Sequence, residues 1–204
     1  MFYLACTRFN DQTYYENTLY KHQKNIPVIY GTTLKIRESY AKDVPIFVVE
    51  MNNNTNTIEG IGLIKNRMDY DERHRIYSIH EYNRYVYVGY YWLSRQHIAE
   101  NDETGKLLPI LETILFKGKS HLKCRLGITI ITNVLFDRWG FDFNETKNTV
   151  KNLFLSHFKT NINSIIQESH KTEDEDEIVI IPTIKIKKLR KSKNSVATIN
   201  NLNI

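Results

Sequence analysis

The segment KGKSHLKCR places Lys117, Lys119, His121, Lys123 and Arg125 at every second position. An extended chain puts all five on one face, and a helix still aligns Lys117, His121 and Arg125 one turn apart. Either geometry concentrates positive charge. Gly118 and Ser120 are small enough to let a phosphate approach the backbone, and the flanking ammonium and guanidinium groups would displace counterions condensed on a polyanion. The competing reading is a solvated basic edge that discourages strand-to-strand association.

Aromatic residues supply the second half of such chemistry. Tyr82, Tyr85, Tyr87, Tyr90, Tyr91 and Trp92 follow one another closely, with Arg84 among them. Exposed rings beside cations are what base stacking requires; the same rings packed inside would serve as core with a polar tip at the rim.

Two further basic groups weigh differently. Lys65, Arg67, Arg73, His74 and Arg75 are interrupted by Asp69, Asp71 and Glu72, a mixture of signs that reads as a salt-bridged surface loop. KIKKLRKSK, Lys185 to Lys193, has no acidic interruption and reads equally as a nucleic-acid contact or nuclear address and as a solubilising tail.

Catalytic signatures are missing. The sequence contains no GxSxG elbow, P-loop, HExxH, paired CxxC or kinase motif. His74, His80 and His97 lack the short ligand spacing of a metal site, and Cys6 and Cys124 are too few for a disulfide framework or a cysteine zinc cluster. No catalytic residue, metal or cofactor is expected.

The elements that would carry these groups can be read from spacing. The chain of 204 residues and 24.2 kDa suits one domain of ordinary size with a smaller lobe or tail. Its 41% hydrophobic and 25% charged fractions are ordinary for a globular protein, and its net charge of +5 permits contact with polyanions if the cations cluster. No apolar run approaches the roughly 18 residues that cross a bilayer, and the start lacks a secretory pattern, so an intracellular protein, cytoplasmic or nuclear and without a membrane partner, is expected. Abundant Ile and Asn with scarce Ala indicate an A/T-rich genome.

Short β-branched and aromatic runs separated by Gly, Pro, Asn and Asp make the first hundred residues strand-like. FYLAC opens as a strand; Tyr14 to Lys24 reads as a helix or an irregular loop; Val28 to Tyr30 is a short apolar run. PIFVVEM and IEGIGLIK form a hairpin across the polar turn Asn52 to Thr57, and Gly60 and Gly62 signal a bulge or a close backbone approach. RYVYVGYYWL, residues 84 to 93, reads as one strand with Tyr85 and Tyr87 on one face and Val86 and Val88 on the other. Helical spacing follows at Leu107 to Phe116, with Pro109 in a first turn, and at Glu145 to Phe158, capped by Asn144.

The short aromatic first strand (Phe2, Tyr3, Leu4), the IPVIYG segment, PIFVVEM and glycine-bearing IEGIGLIK together resemble the PUA-like superfamily, in particular the EVE and YTH-type barrels that bind RNA or modified bases. The likeness covers roughly the first 95 residues. It implies a base-sized cleft between strands with an aromatic side chain beside it, such as Tyr30 or Trp92; where EVE-type proteins often carry Trp after the first helix, this chain has Tyr30.

The expected architecture is therefore α+β: a small, mostly antiparallel PUA-like β-barrel over residues 1–104, a helical lobe packed on it over 105–168, and a flexible acidic-then-basic tail over 169–204. The expected function is a noncatalytic nucleic-acid-binding module, RNA ahead of DNA, with Lys117, Lys119, His121, Lys123, Arg125, Arg84, Tyr85, Tyr87, Trp92 and Tyr30 as its contact residues. A protein partner through the tail is a further expectation. The alternative is a structural or scaffolding protein of a large DNA virus that binds other proteins. An enzyme acting on nucleic acid would require three or more carboxylates beside KGKSHLKCR.

Overall fold

The computed structural model describes residues 1–158. In chain order the elements are β1 (Tyr3–Phe9), α1 (Asp11–Lys24), β2 (Val28–Thr32), β3 (Pro45–Asn52), β4 (Thr57–Lys65), a 3-10 turn (His80–Asn83), β5 (Tyr85–Gly89), β6 (Tyr91–Ser94), α2 (Arg95–Asn101), α3 (Leu107–Phe116), β7 (Thr129–Ile130), α4 (Asn133–Asp137) and α5 (Phe143–Phe158).

All of β3 is buried, the mark of a central strand covered on both faces. Its neighbours are β1, parallel to it, and β4, antiparallel, in a sheet ordered β6-β4-β3-β1-β7. A parallel pair needs a crossover rather than a hairpin, and α1 and β2 lie within that connection. Among the described residues the second sheet is the antiparallel pair β2 and β5.

The protein is thus α+β, as expected, but its strands form two sheets rather than a closed barrel. The physical reason is burial on both faces. Leu4, Cys6, Phe47, Val49, Ile61 and Leu63 face a core completed by Leu111, Ile114, Phe136, Val150 and Phe154 of α3, α4 and α5. Ala5, Ile46, Val48 and Ile64 face the opposite way, against Val28, Ile29, Val86 and Tyr87 of the second sheet. Helices therefore share the core of the main sheet from one side while β2 and β5 cover the other.

The sequence RYVYVGYYWL is two strands, not one. Tyr85–Gly89 pairs with β2, Tyr91–Ser94 pairs with β4, and the chain passes from one sheet to the other at exposed Tyr90. The segment after residue 10 resolves as a helix because Asn10 forms a capping box with Thr13: the Thr13 amide donates to Asn10 Oδ1 at 2.8 Å, and the Asn10 amide donates to Thr13 Oγ1 at 3.0 Å. The helix Leu107–Phe116 has the expected bounds. The last helix starts earlier than Asn144 would allow, since Asp142 Oδ1 accepts from the Glu145 amide at 2.8 Å. The acidic block Glu173 to Glu177 and the basic block Lys185 to Lys193 lie outside the described residues.

The hairpin β3–β4 carries a one-residue bulge. Glu50 pairs with Gly60 and Met51 pairs with Ile58, so Glu59 is the extra residue. The slip turns Ile58 onto the helical side with Ile61 and Leu63, and leaves Gly60 and Gly62 on the other face beneath Glu50.

Glu50 itself is fully buried. Tyr30 Oη donates to its Oε1 at 2.9 Å and Trp92 Nε1 donates to its Oε2 at 3.0 Å. Lys21 Nζ lies 3.6 Å from Oε1 and 4.8 Å from the centroid of the Trp92 ring. The two glycines make this possible: a Cβ on Gly62 would stand 2.3 Å from Tyr30 Oη, and one on Gly60 would stand 2.8 Å from the Trp92 ring. A buried carboxylate is tolerated only when its lone pairs and its charge are met, and here α1, β2 and β6 each contribute one partner.

Glu50→Ala is expected to destabilise the protein by about 3 to 5 kcal/mol, because it strands the partners of a buried charge. Gly62→Ala should cost less in a Tyr30→Phe background than in the wild type, since the hydroxyl it strikes is gone. Urea unfolding of the wild type, the two single variants and the double variant checks the coupling; strictly additive costs would contradict the packing.

Candidate nucleic-acid interface

The end of β1, the start of α1 and the end of β2 converge on a cleft of about 200 Å³. Thr7, Arg8 and Phe9 of β1, Asn10 and Thr13 of the capping box, and Gly31 and Thr32 of β2 form its walls; Asn53, Tyr77, Tyr82, Leu126 and Gly127 complete it. The lining mixes aromatic and apolar faces with hydroxyls, amides and one guanidinium, a composition that suits a small planar ligand with polar edges.

Gly31 is required by this construction. A Cβ there would lie 2.5 Å from the Tyr82 carbonyl oxygen and 3.0 Å from the Tyr77 ring, so only glycine lets the segment bearing both tyrosines close over β2. That segment is held by Asn83, whose Oδ1 accepts from the amides of Ile76 and Tyr77 at 2.8 and 2.9 Å and whose Nδ2 donates to the Tyr77 carbonyl at 2.8 Å. Asn17 of α1, fully buried, donates to the Ile29 carbonyl at 2.7 Å and to Tyr77 Oη at 3.2 Å, tying helix, strand and loop together.

The basic loop is fastened to the rim of this cleft. The Lys123 carbonyl accepts from Arg8 Nη1 and from Asn53 Nδ2, both at 2.9 Å, and both donors line the cleft. Lys123 Nζ donates to Asn56 Oδ1 at 2.6 Å. Arg125 directly precedes Leu126 and Gly127 of the lining.

The loop is neither extended nor helical. Successive turns run through it, with the Leu122 amide donating to the Leu115 carbonyl at 2.9 Å and the Arg125 amide to the Leu122 carbonyl at 3.0 Å. Buried Leu122 anchors it, and the alternation therefore does not place five cations on one face. Lys117, Lys119 and Arg125 are exposed; Lys123 is half-buried, and so is His121, whose Nδ1 is buried without a partner.

The expected aromatic contacts divide. Tyr30 and Tyr87 are core residues, 1% and 2% exposed: Tyr30 holds Glu50, and Tyr87 Oη accepts from the Ile36 amide at 3.0 Å. Burial, and next the Glu50 charge, hold the Tyr30 hydroxyl well above its ordinary pKa, so it stays a donor. Trp92 is half-buried with its indole N–H committed to Glu50. Tyr85 is half-buried, with the Arg84 guanidinium 5.3 Å from its ring centroid. None of these five lines the cleft; Tyr77 and Tyr82 do. The sequence pattern pointed to the tyrosine run but not to which member faces the cleft, and Arg8, Asn53 and Thr7 carried no signal beyond their place at strand ends.

In the mixed-charge segment His74, buried rather than at the surface, meets Asp69 of the same segment, whereas Arg67 reaches Asp43 outside it. Arg67 Nε lies 3.8 Å from Asp43 Oδ1, and buried His74 bridges Tyr20 Oη at 3.0 Å and Asp69 Oδ2 at 2.8 Å. Among the described residues no group of three or more His, Cys, Asp or Glu could hold a metal ion, and no helix is long and apolar enough to cross a membrane.

No family model, curated protein or solved structure matches the chain.

The hydrogen bond from His74 holds the Asp69 carboxyl below its usual pKa. A carboxyl depressed in the folded state contributes stability that is fully present above the ordinary value of about 3.9 and is lost as pH falls through the lowered one. Asp69→Asn should therefore lower Tm at neutral pH and flatten its fall below about pH 4; an unchanged acid limb in a pH series of melting curves would contradict the assignment.

Proposed function

We propose that the protein is a noncatalytic nucleic-acid-binding module, RNA ahead of DNA, that receives an unpaired base in the cleft beneath Tyr77 and Tyr82 while the loop from Lys117 to Arg125 meets the phosphates. The observation that carries this reading is the attachment of the basic loop to the cleft: the Lys123 carbonyl is clamped by Arg8 and Asn53, themselves cleft residues. The basic loop is thereby anchored at the edge of the cleft, next to Arg8, the cation that lines it. Aromatic faces with amides and hydroxyls suit base edges, and lysines and arginines suit the backbone.

The preference for RNA draws on the likeness of the first strands to PUA-like barrels of the EVE and YTH type. The scaffolding alternative draws on exposed Leu126, which precedes Gly127 of the lining, and on exposed Leu34, whose backbone approaches that glycine.

Fluorescence-anisotropy titration of labelled RNA and DNA at several salt concentrations tests the reading. Lys119→Glu with Lys123→Glu should weaken binding to unrelated sequences alike and make the slope of log affinity against log salt shallower by about 1 to 2, since each lost phosphate contact releases about 0.7 to 0.9 fewer counterions. Tyr82→Ala should weaken binding with little change of slope. No binding by the wild type at low salt, or binding indifferent to all three substitutions, would overturn the proposal.

A further inference from the structure

The exposed tryptophan at the far end of the basic loop has no role in the fold's polar network and none in the cleft. Trp139 follows α4, its amide donating to the Phe136 carbonyl at 2.9 Å. Phe136 is fully buried and anchors that turn, whereas Trp139 remains 40% exposed. Gly118 has φ of +72°, and a Cβ placed on it would lie 3.2 Å from Trp139 Cζ2. The glycine thus lets the indole rest by its six-membered ring against the basic loop itself. Exposed Lys117 and Lys119 flank Gly118, and exposed Arg138 adjoins the tryptophan.

An exposed indole on a basic loop, with Lys117 and Lys119 beside its contact glycine and Arg138 and Asp137 next to it in the chain, combines a stacking face with nearby cations, the two elements by which single-stranded nucleic acid is held without sequence choice. The loop that meets Trp139 at Gly118 runs on to Leu126 and Gly127 of the cleft. We infer that Trp139 is a second base platform, so that the ligand is a single strand spanning from the cleft along the loop to this indole, rather than a mononucleotide or a duplex. The inference rests on the nucleic-acid reading above and names the form of nucleic acid that the surface takes. A duplex keeps its bases stacked and paired and offers the indole nothing but its ends.

The protein has two tryptophans, Trp92 and Trp139, and Trp92 is engaged with Glu50, so intrinsic fluorescence reports on the platform. Titrating the full chain with an oligouridylate of about 12 nucleotides, within the span one such site covers, should quench wild-type emission. Trp139→Phe should abolish most of that quenching while keeping affinity within a few-fold, because a phenyl ring still stacks. Trp139→Ala should lose on the order of tenfold to a hundredfold in anisotropy-measured affinity. Uridine monophosphate and a hairpin duplex of the same composition class should quench little. If the oligonucleotide binds but wild-type emission is unchanged, or quenching persists in Trp139→Phe, or Trp139→Ala binds as the wild type does, the platform is refuted while the cleft reading stands. Absence of any binding refutes both.

Discussion

A carboxylate placed where no water can reach it organises one whole side of this molecule. Glu50 lies in the most buried strand, and its charge and lone pairs must be met from within. Lys21 comes from α1, Tyr30 from β2 and Trp92 from β6, so helix, second sheet and sheet edge are fastened to one point. Gly60 and Gly62 are the other half of the constraint, because the space that Tyr30 and Trp92 fill is the space their missing side chains leave. The clamp reaches the candidate interface through one peptide bond. Tyr30 fixed on Glu50 fixes Gly31, and Gly31 is where the Tyr77 and Tyr82 segment closes the cleft.

The interface is built from the ends of elements rather than their middles. The cleft gathers the last residues of β1 and β2, the first of α1 and the residue after β3, while the loop following α3 arrives on top and is pinned through its Lys123 carbonyl. Rigid strands place these groups, Arg8 among them, and the loop adds further cations. In the proposed reading, cations along the loop would raise affinity without reading sequence, and the polar edges of the cleft would distinguish a base.

How much of this was legible in the sequence follows from the range of each interaction. PIFVVEM and IEGIGLIK were readable as a hairpin because their apolar runs and polar turn are local, and Leu107–Phe116 was readable as a helix from its spacing. The glycine pair signalled a bulge or a close approach, and the hairpin shows a bulge at Glu59 and close approaches at both glycines. A barrel was expected from the strand-like first hundred residues and their likeness to PUA-like barrels; the parallel pairing of β1 with β3 in the main sheet depends on contacts far apart in the chain. RYVYVGYYWL has uniform composition, so its division between two sheets at Tyr90 left no local mark. Glu50 did leave one, a lone acid inside an apolar run, but its partners lie 20, 29 and 42 residues away or so by number, at Tyr30, Lys21 and Trp92. Trp139 and Gly118 likewise meet only after α4 has folded back onto the loop.

The most direct test of the account is residue-level mapping of the bound strand by amide chemical shifts. Adding a short oligouridylate to the isotopically labelled protein should move the amides of Gly31 to Thr33, Asn53, Lys117 to Gly127 and Trp139, and leave those of α2 and of Phe143 to Lys151 in place. Shifts confined to the cleft formed by Met1 to Leu4 with Phe143, Lys147 and Lys151, or no shifts in the region around Gly31 and the basic loop, would contradict it.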